Sequence, residues 1–170
     1  MKNTIILIIV ILAGISHADN IFSKLTEMTA LYHDGKFEAA RAVYARTVAQ
    51  TNPPPAEIQF NYFRVLLALG DQGEAHRIMQ DYVTRKPNDY RPWFEWGVVR
   101  TKSCGGRTAI DSLRKAIALN PNHAPSYLWL AQTTISKQEK IEALRKILKI
   151  ENRDSEIAKQ AVIRLQNIED

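Results

Sequence analysis

Pro53, Pro87 and Pro121 stand thirty-four residues apart, and Ala75, Ala109 and Ala143 keep the same interval. A fixed interval of that length marks one supersecondary unit repeated along the chain, and it fits stacked helical hairpins. Such a chain buries its core between neighbouring repeats and leaves two long faces exposed, one concave and one convex, with no cleft built for chemistry. The interval therefore bounds fold and function together: a helical solenoid, and a surface for binding.

The third unit, Tyr90 to His123, carries the pattern most fully, with Trp93, Trp96-Gly97, Ala109, Leu113, Ala116 and Pro121 in order. Gly97 and Ala109 lack bulk where two helix axes must approach closely, and Trp93, Trp96 and Leu113 fill the space on either side. Pro121 ends the second helix because Asn120, the residue before it, is driven out of the helical region of backbone space. These residues resemble the tetratricopeptide repeat (TPR), and the resemblance covers nearly all the chain after residue 20. It implies an all-α, right-handed superhelical solenoid of antiparallel A and B helices, three to four repeats long, ending in a capping helix.

The remaining units match less closely. Repeats are expected at about 21–55, 56–89, 90–123 and 124–153, followed by a capping helix over 154–170. In the second, Tyr62, Leu66, Ala75, Met79 and Pro87 keep register, but Gln59 replaces the opening aromatic and Phe63 the small residue. The fourth has Tyr127, Leu130, Ala131, Ala143 and Ile147 without a closing proline; the first rests on Gly35, Phe37, Ala40 and Tyr44. Frayed terminal repeats are normal for a solenoid. Asp34-Gly35, Gly70 to Gly73 and Cys104-Gly105-Gly106 read as the A-to-B turns, and Pro53-Pro54-Pro55 as a stiff link. In the last segment Asp154 or Ser155 can cap a helix whose Ile157, Ala161, Val162, Leu165 and Ile168 form an apolar face against the fourth repeat.

Residues 1–18 are of another kind: Lys2, an uncharged apolar run from Thr4 to Ile15, and Ser16-His17-Ala18 before Asp19. This reads as a secretory signal, with an uncleaved membrane anchor as the alternative. Removing it lowers the formal net charge from +5 to about +4, with charges scattered along the chain, which is no footprint for nucleic acid. Lys137, Lys140, Arg145, Lys146 and Lys149 form the one local basic concentration. It reads either as a solvated helix face or as a weak contact for a membrane or cell-wall surface.

Cys104 is the only cysteine, so no intramolecular disulfide is possible. His33, His76 and His123 fall at non-equivalent repeat positions and form no pair that would present two ligands on one helical face. Glycine-rich phosphate loops and nucleophile elbows are absent from the sequence. The expectation is a non-enzyme with no cofactor and no metal.

The TPR resemblance implies a ligand laid across the concave face of the A helices. The family register assigns that face Phe60, Arg64, Leu67 and Ala68 in the second repeat and Arg91, Phe94, Val98, Thr101 and Lys102 in the third. Leu128 and Gln132 join from the fourth repeat, and Leu25, Thr29 and Tyr32 from the first. Phe60, Phe94 and Leu128 read equally well as core. Only Asn61 and Arg91 match the carboxylate clamp of chaperone-linked TPR proteins, so the face suits an amphipathic or apolar segment with some acidic character. The resemblance points to a periplasmic adaptor binding a protein or peptide during assembly of an envelope complex such as a pilus, secretion, cytochrome-maturation or cell-wall machine. The alternative is a holding chaperone for exported apolar segments.

Overall fold

The computed structural model describes residues 20–51, 53–103 and 106–169. Among these the chain is helical with no strand, and they divide into two compact units, one ending at Pro87 and one starting at Asn88. The expected leader and Cys104 lie outside the described residues.

The first unit holds α1 (20–33), α2 (Phe37–Gln50), α3 (Ala56–Leu69) and α4 (Gln72–Arg85). Both A helices end on a glycine in the left-handed region, Gly35 at φ 72° and Gly70 at φ 79°, where a side chain would be strained. The next residue then turns back: Lys36 N–H donates to the Leu31 carbonyl at 2.8 Å and Asp71 N–H to that of Leu66 at 3.0 Å. These bonds satisfy carbonyls that the helix end leaves open. Asp71 also caps α4, its Oδ1 accepting from Glu74 N–H at 3.2 Å.

Ala40, Val43, Leu66, Ala75, Met79 and Tyr82 form the buried core of this unit, with Met28 of α1. The second repeat solves its two departures together. Where the third repeat sets Trp93 before Gly97, the second sets Gln59 before Phe63, so bulk moves one turn along the helix. Both are buried, and Gln59 Nε2 donates to the Asp81 carboxylate and, at 3.5 Å, to the Ile78 carbonyl.

The second unit holds α5 (Arg91–Lys102), α6 (Gly106–Leu119), α7 (Ala124–Thr133), α8 (Lys137–Ile150) and α9 (Glu156–Glu169). Its tightest approach is α5 on α6. A Cβ on Gly97 would stand 2.8 Å from Leu113 Cγ and 3.4 Å from the Ala109 carbonyl oxygen, so the backbones meet at the expected pair. Burying Leu113 there contributes roughly 1.5–3 kcal/mol. The chain leaves α6 at Leu119, and Pro121 lies in the turn that follows.

Ser136 caps α8 by accepting from Glu139 N–H at 3.2 Å. Glu139 accepts from the Thr134 hydroxyl and, at 2.8 Å, from Arg114 on α6, which ties α6 to α8. Burial opposes its carboxylate, but those hydrogen bonds and the Arg114 charge outweigh it and hold the pKa below the usual value.

The closing helix α9 packs as expected on the fourth repeat, through Ala161 with Ile157, Leu165 and Ile168 against Leu128, Ala131, Leu144 and Ile147. Ser155, not Asp154, is its cap, Oγ accepting from Ala158 N–H at 3.2 Å. One assignment fails: Val162 is 42% exposed, and Ala158 takes its place in the buried stripe at 1%. The helix turns its smallest residues inward because close approach to a neighbouring helix needs small side chains.

Candidate A-helix binding face

In the first unit, α1 and α3 lie side by side and are joined by two contacts one turn apart. Asn61 Nδ2 donates to Thr29 Oγ1 at 3.0 Å, and the Arg64 guanidinium sits 4.3 Å from the centroid of the Tyr32 ring. That distance is inside the range of a cation–π interaction. The Thr29 hydroxyl donates its own hydrogen bond to the Leu25 carbonyl at 2.8 Å, so its oxygen is left as an acceptor for Asn61.

The second unit repeats the arrangement between α5 and α7. The Thr101 and Thr133 hydroxyls are 3.0 Å apart, and Lys102 Nζ stands 5.8 Å from the Trp129 ring centroid. Thr29 to Asn61, Tyr32 to Arg64 and Thr101 to Thr133 are each thirty-two residues apart. Neighbouring A helices thus touch two residues out of step with the thirty-four-residue period. Sequence reasoning named Asn61 only as a clamp position and missed Trp129 and Thr133 as members of the A-helix face of the second unit; a second interval two shorter than the repeat could have found Thr133, whereas Trp129, twenty-seven residues past Lys102, gave no such signal.

The residues assigned to the face are placed as follows. Arg64 and Leu67 are half-buried on α3; Val98 is half-buried on α5, while Lys102 and, on α7, Gln132 are exposed. Phe94 is half-buried, its ring edge-on to His123 at 4.7 Å, and Tyr90 contacts the same imidazole at 4.6 Å. Burial pushes the His123 pKa down, and its Nδ1 lies 2.8 Å from Ser126 Oγ. Phe60, 6% exposed, packs on Phe63 and Tyr82; Leu128, 9% exposed, belongs to the α7–α8–α9 core. These two are core residues that show a ligand only an edge. Arg91 is held in a bidentate pair by Asp89, with Nη2 to Oδ2 at 2.6 Å and Nε to Oδ1 at 3.0 Å, so its charge is already neutralised.

No protein-family model and no curated protein matches the sequence. Solved structures do match. TTC0263, a thermophilic TPR protein of Thermus thermophilus, is 20% identical at TM-score 0.66, over 86% of this chain and 81% of its own. PilF of Pseudomonas aeruginosa is 13% identical at TM-score 0.72, over 87% and 67%. YrrB, described as a TPR protein with an unusual peptide-binding site, is 17% identical at TM-score 0.62, over 80% and 71%. The chain has the all-α fold of TPR proteins. Within that fold α1, α3, α5 and α7 are the A helices, and the contacts above are those between neighbouring A helices of one unit. Among the described residues no group of acidic, histidine or cysteine side chains is placed to hold a metal, and no helix is long and apolar enough to cross a membrane.

Proposed function

We propose that this chain is a non-catalytic scaffold that binds a protein or peptide segment on its A-helix faces, and that it does so in the periplasm during assembly of an envelope complex. The observation that carries the reading is the cation-over-aromatic contact found in each unit, Arg64 on Tyr32 and Lys102 on Trp129. Each sets a charged group beside a large ring, and Tyr, Trp and Arg are the residues most enriched among those that dominate protein interfaces. Phe94, Val98 and Leu67 add apolar surface, Gln132 a polar rim, and Phe60, Leu128 and the neutralised Arg91 support them from below or beside. The peptide-binding site of YrrB lends weight to a peptide as the ligand. The basic face of α8, which includes Lys137, Arg145 and Lys149, is a secondary surface for weak membrane or cell-wall contact.

A second reading, a holding chaperone for exported apolar segments, is favoured by one feature: Ile135, Val162 and Ile163 of the second unit are 96%, 42% and 57% exposed. A photo-cross-linking residue at Val98 of a tagged protein, expressed with its leader, separates the two. The scaffold gives one or two discrete products from the periplasmic fraction, where intact mass finds Asp19 as first residue. The chaperone gives a continuous smear, and a protein that retains Met1 among the membranes contradicts the export part.

A further inference from the structure

A cavity of about 430 Å³ opens where α7, α8 and α9 meet. Its size lies within the ~300–1,000 Å³ typical of ligand pockets. Lys140 of α8 and Arg164 of α9 line it, with the side-chain amides of Gln132 on α7 and Asn167 on α9. Leu144 and Ile168 also line it, each four residues past the cation of its own helix and therefore on the same helical face. Among the described side chains none that lines the cavity is acidic, and neither cation pairs with one. Arg114 differs: the Glu139 carboxylate holds it at 2.8 Å.

We infer that this cavity receives the carboxylate side chain of a Glu or Asp in a bound apolar peptide segment. The inference rests on the A-helix reading, because Gln132 belongs to both that face and the cavity. A carboxylate has about four acceptor sites, and a guanidinium, an ammonium and two amides contributed by three helices can fill them. The methylenes of a Glu lie on Leu144 and Ile168 while its backbone stays outside and continues along the A-helix surface. A chain end would have to bring its last peptide group into the cavity, and the two amides would then be divided between it and the carboxylate. Inorganic phosphate matches the cations but leaves the apolar floor uncovered.

The test uses the exported protein and three fluorescent peptides followed by anisotropy: Ac-Ala-Leu-Glu-Leu-Ala-NH2, its Gln counterpart, and the Gln peptide with a free C-terminal carboxylate. The Glu peptide should bind about tenfold more tightly than the amidated Gln peptide, the usual size of a charge-assisted hydrogen bond. Lys140→Gln and Arg164→Gln should each reduce that preference to about twofold or less, while Lys159→Gln on the outer face of α9 keeps it. Equal binding of the two amidated peptides, an unchanged preference in both variants, or binding of the free-carboxylate peptide alone overturns the inference. Phe94→Ala tells the two readings apart. If it weakens both amidated peptides equally while Arg164→Gln has no effect, the cavity fails and the face stands. If Phe94→Ala changes nothing and Arg164→Gln abolishes the preference, the face fails and the cavity stands.

Discussion

Gly97 shows how far a single position can be decided by the repeat. Alanine in its place gains roughly 1 kcal/mol of helix propensity, but its Cβ would sit 2.8 Å from Leu113 Cγ, and overpacking costs roughly 1–3 kcal/mol. The clash wins, so Gly97→Ala should lower the urea midpoint, and should be neutral or stabilising in a Leu113→Ala background. Equal midpoints with Leu113 intact would mean that α5 and α6 do not meet there. That close approach was legible from the sequence, since Gly97, Ala109 and Leu113 hold fixed slots in the repeat. The buried Gln59 was not, because a polar residue in an aromatic slot gives no hint that Asp81 and the Ile78 carbonyl, one repeat-half away, will receive it. His123 makes a second prediction. Burial lowers its pKa below the ordinary 6.5, so the unfolded chain takes up a proton first as pH falls. Stability from neutral His123 is thus present above its unfolded pKa and lost as pH falls through the lowered folded value. Between about pH 7.5 and about pH 5.5 the Tm should fall by less in His123→Asn, which cannot titrate and suits the position before α7. An identical fall in the two proteins would contradict this.

At the scale of elements, the helix ends decide what the periodicity leaves open. Prolines and glycines announced most boundaries: Gly35 and Gly70 close A helices, and α6 stops ahead of Pro121. The turn before α8 has neither residue, and its boundary is set by Ser136 and Glu139, a capping pair three residues apart that sequence reasoning passed over. Ser136→Ala should cost about 1 kcal/mol in thermal unfolding, and so should Ser155→Ala at the start of α9. Asp154→Ala should change stability by a few tenths at most, because its side chain caps nothing; a larger loss there would reassign the cap. The orientation of α9 was the least legible feature. Apolar residues cover a broad arc of that helix, from Ile157 through Val162 and Ile163 to Ile168, and hydrophobicity alone cannot choose the buried part of it. Close packing on the fourth repeat chooses Ala161, Ala158 is buried with it, and Val162 is left outside.

At the scale of the molecule, the chain divides between Pro87 and Asn88, two residues before the repeat boundary at 89/90 that the sequence suggests, in the turn between two helical hairpins. The repeat, its A and B helices and the closing helix were all readable from spacing. The binding face was readable only in part, because period gives which residues recur but not which neighbours they meet. Contacts at the shorter interval, Arg64 on Tyr32 and Thr101 with Thr133, come from the stagger between A helices stacked within a unit, a property of packing. The most direct test of the central claim is a titration of the cross-linked partner against Phe94→Ala, Arg64→Glu and Lys149→Glu, with circular dichroism confirming that each is folded. Each A-helix variant should weaken binding by about 2 kcal/mol, near thirtyfold in Kd, and Lys149→Glu on α8 much less. Loss at Lys149 alone, with folded Phe94→Ala and Arg64→Glu proteins binding as wild type, would move the site to the basic face of α8 and contradict the A-helix assignment.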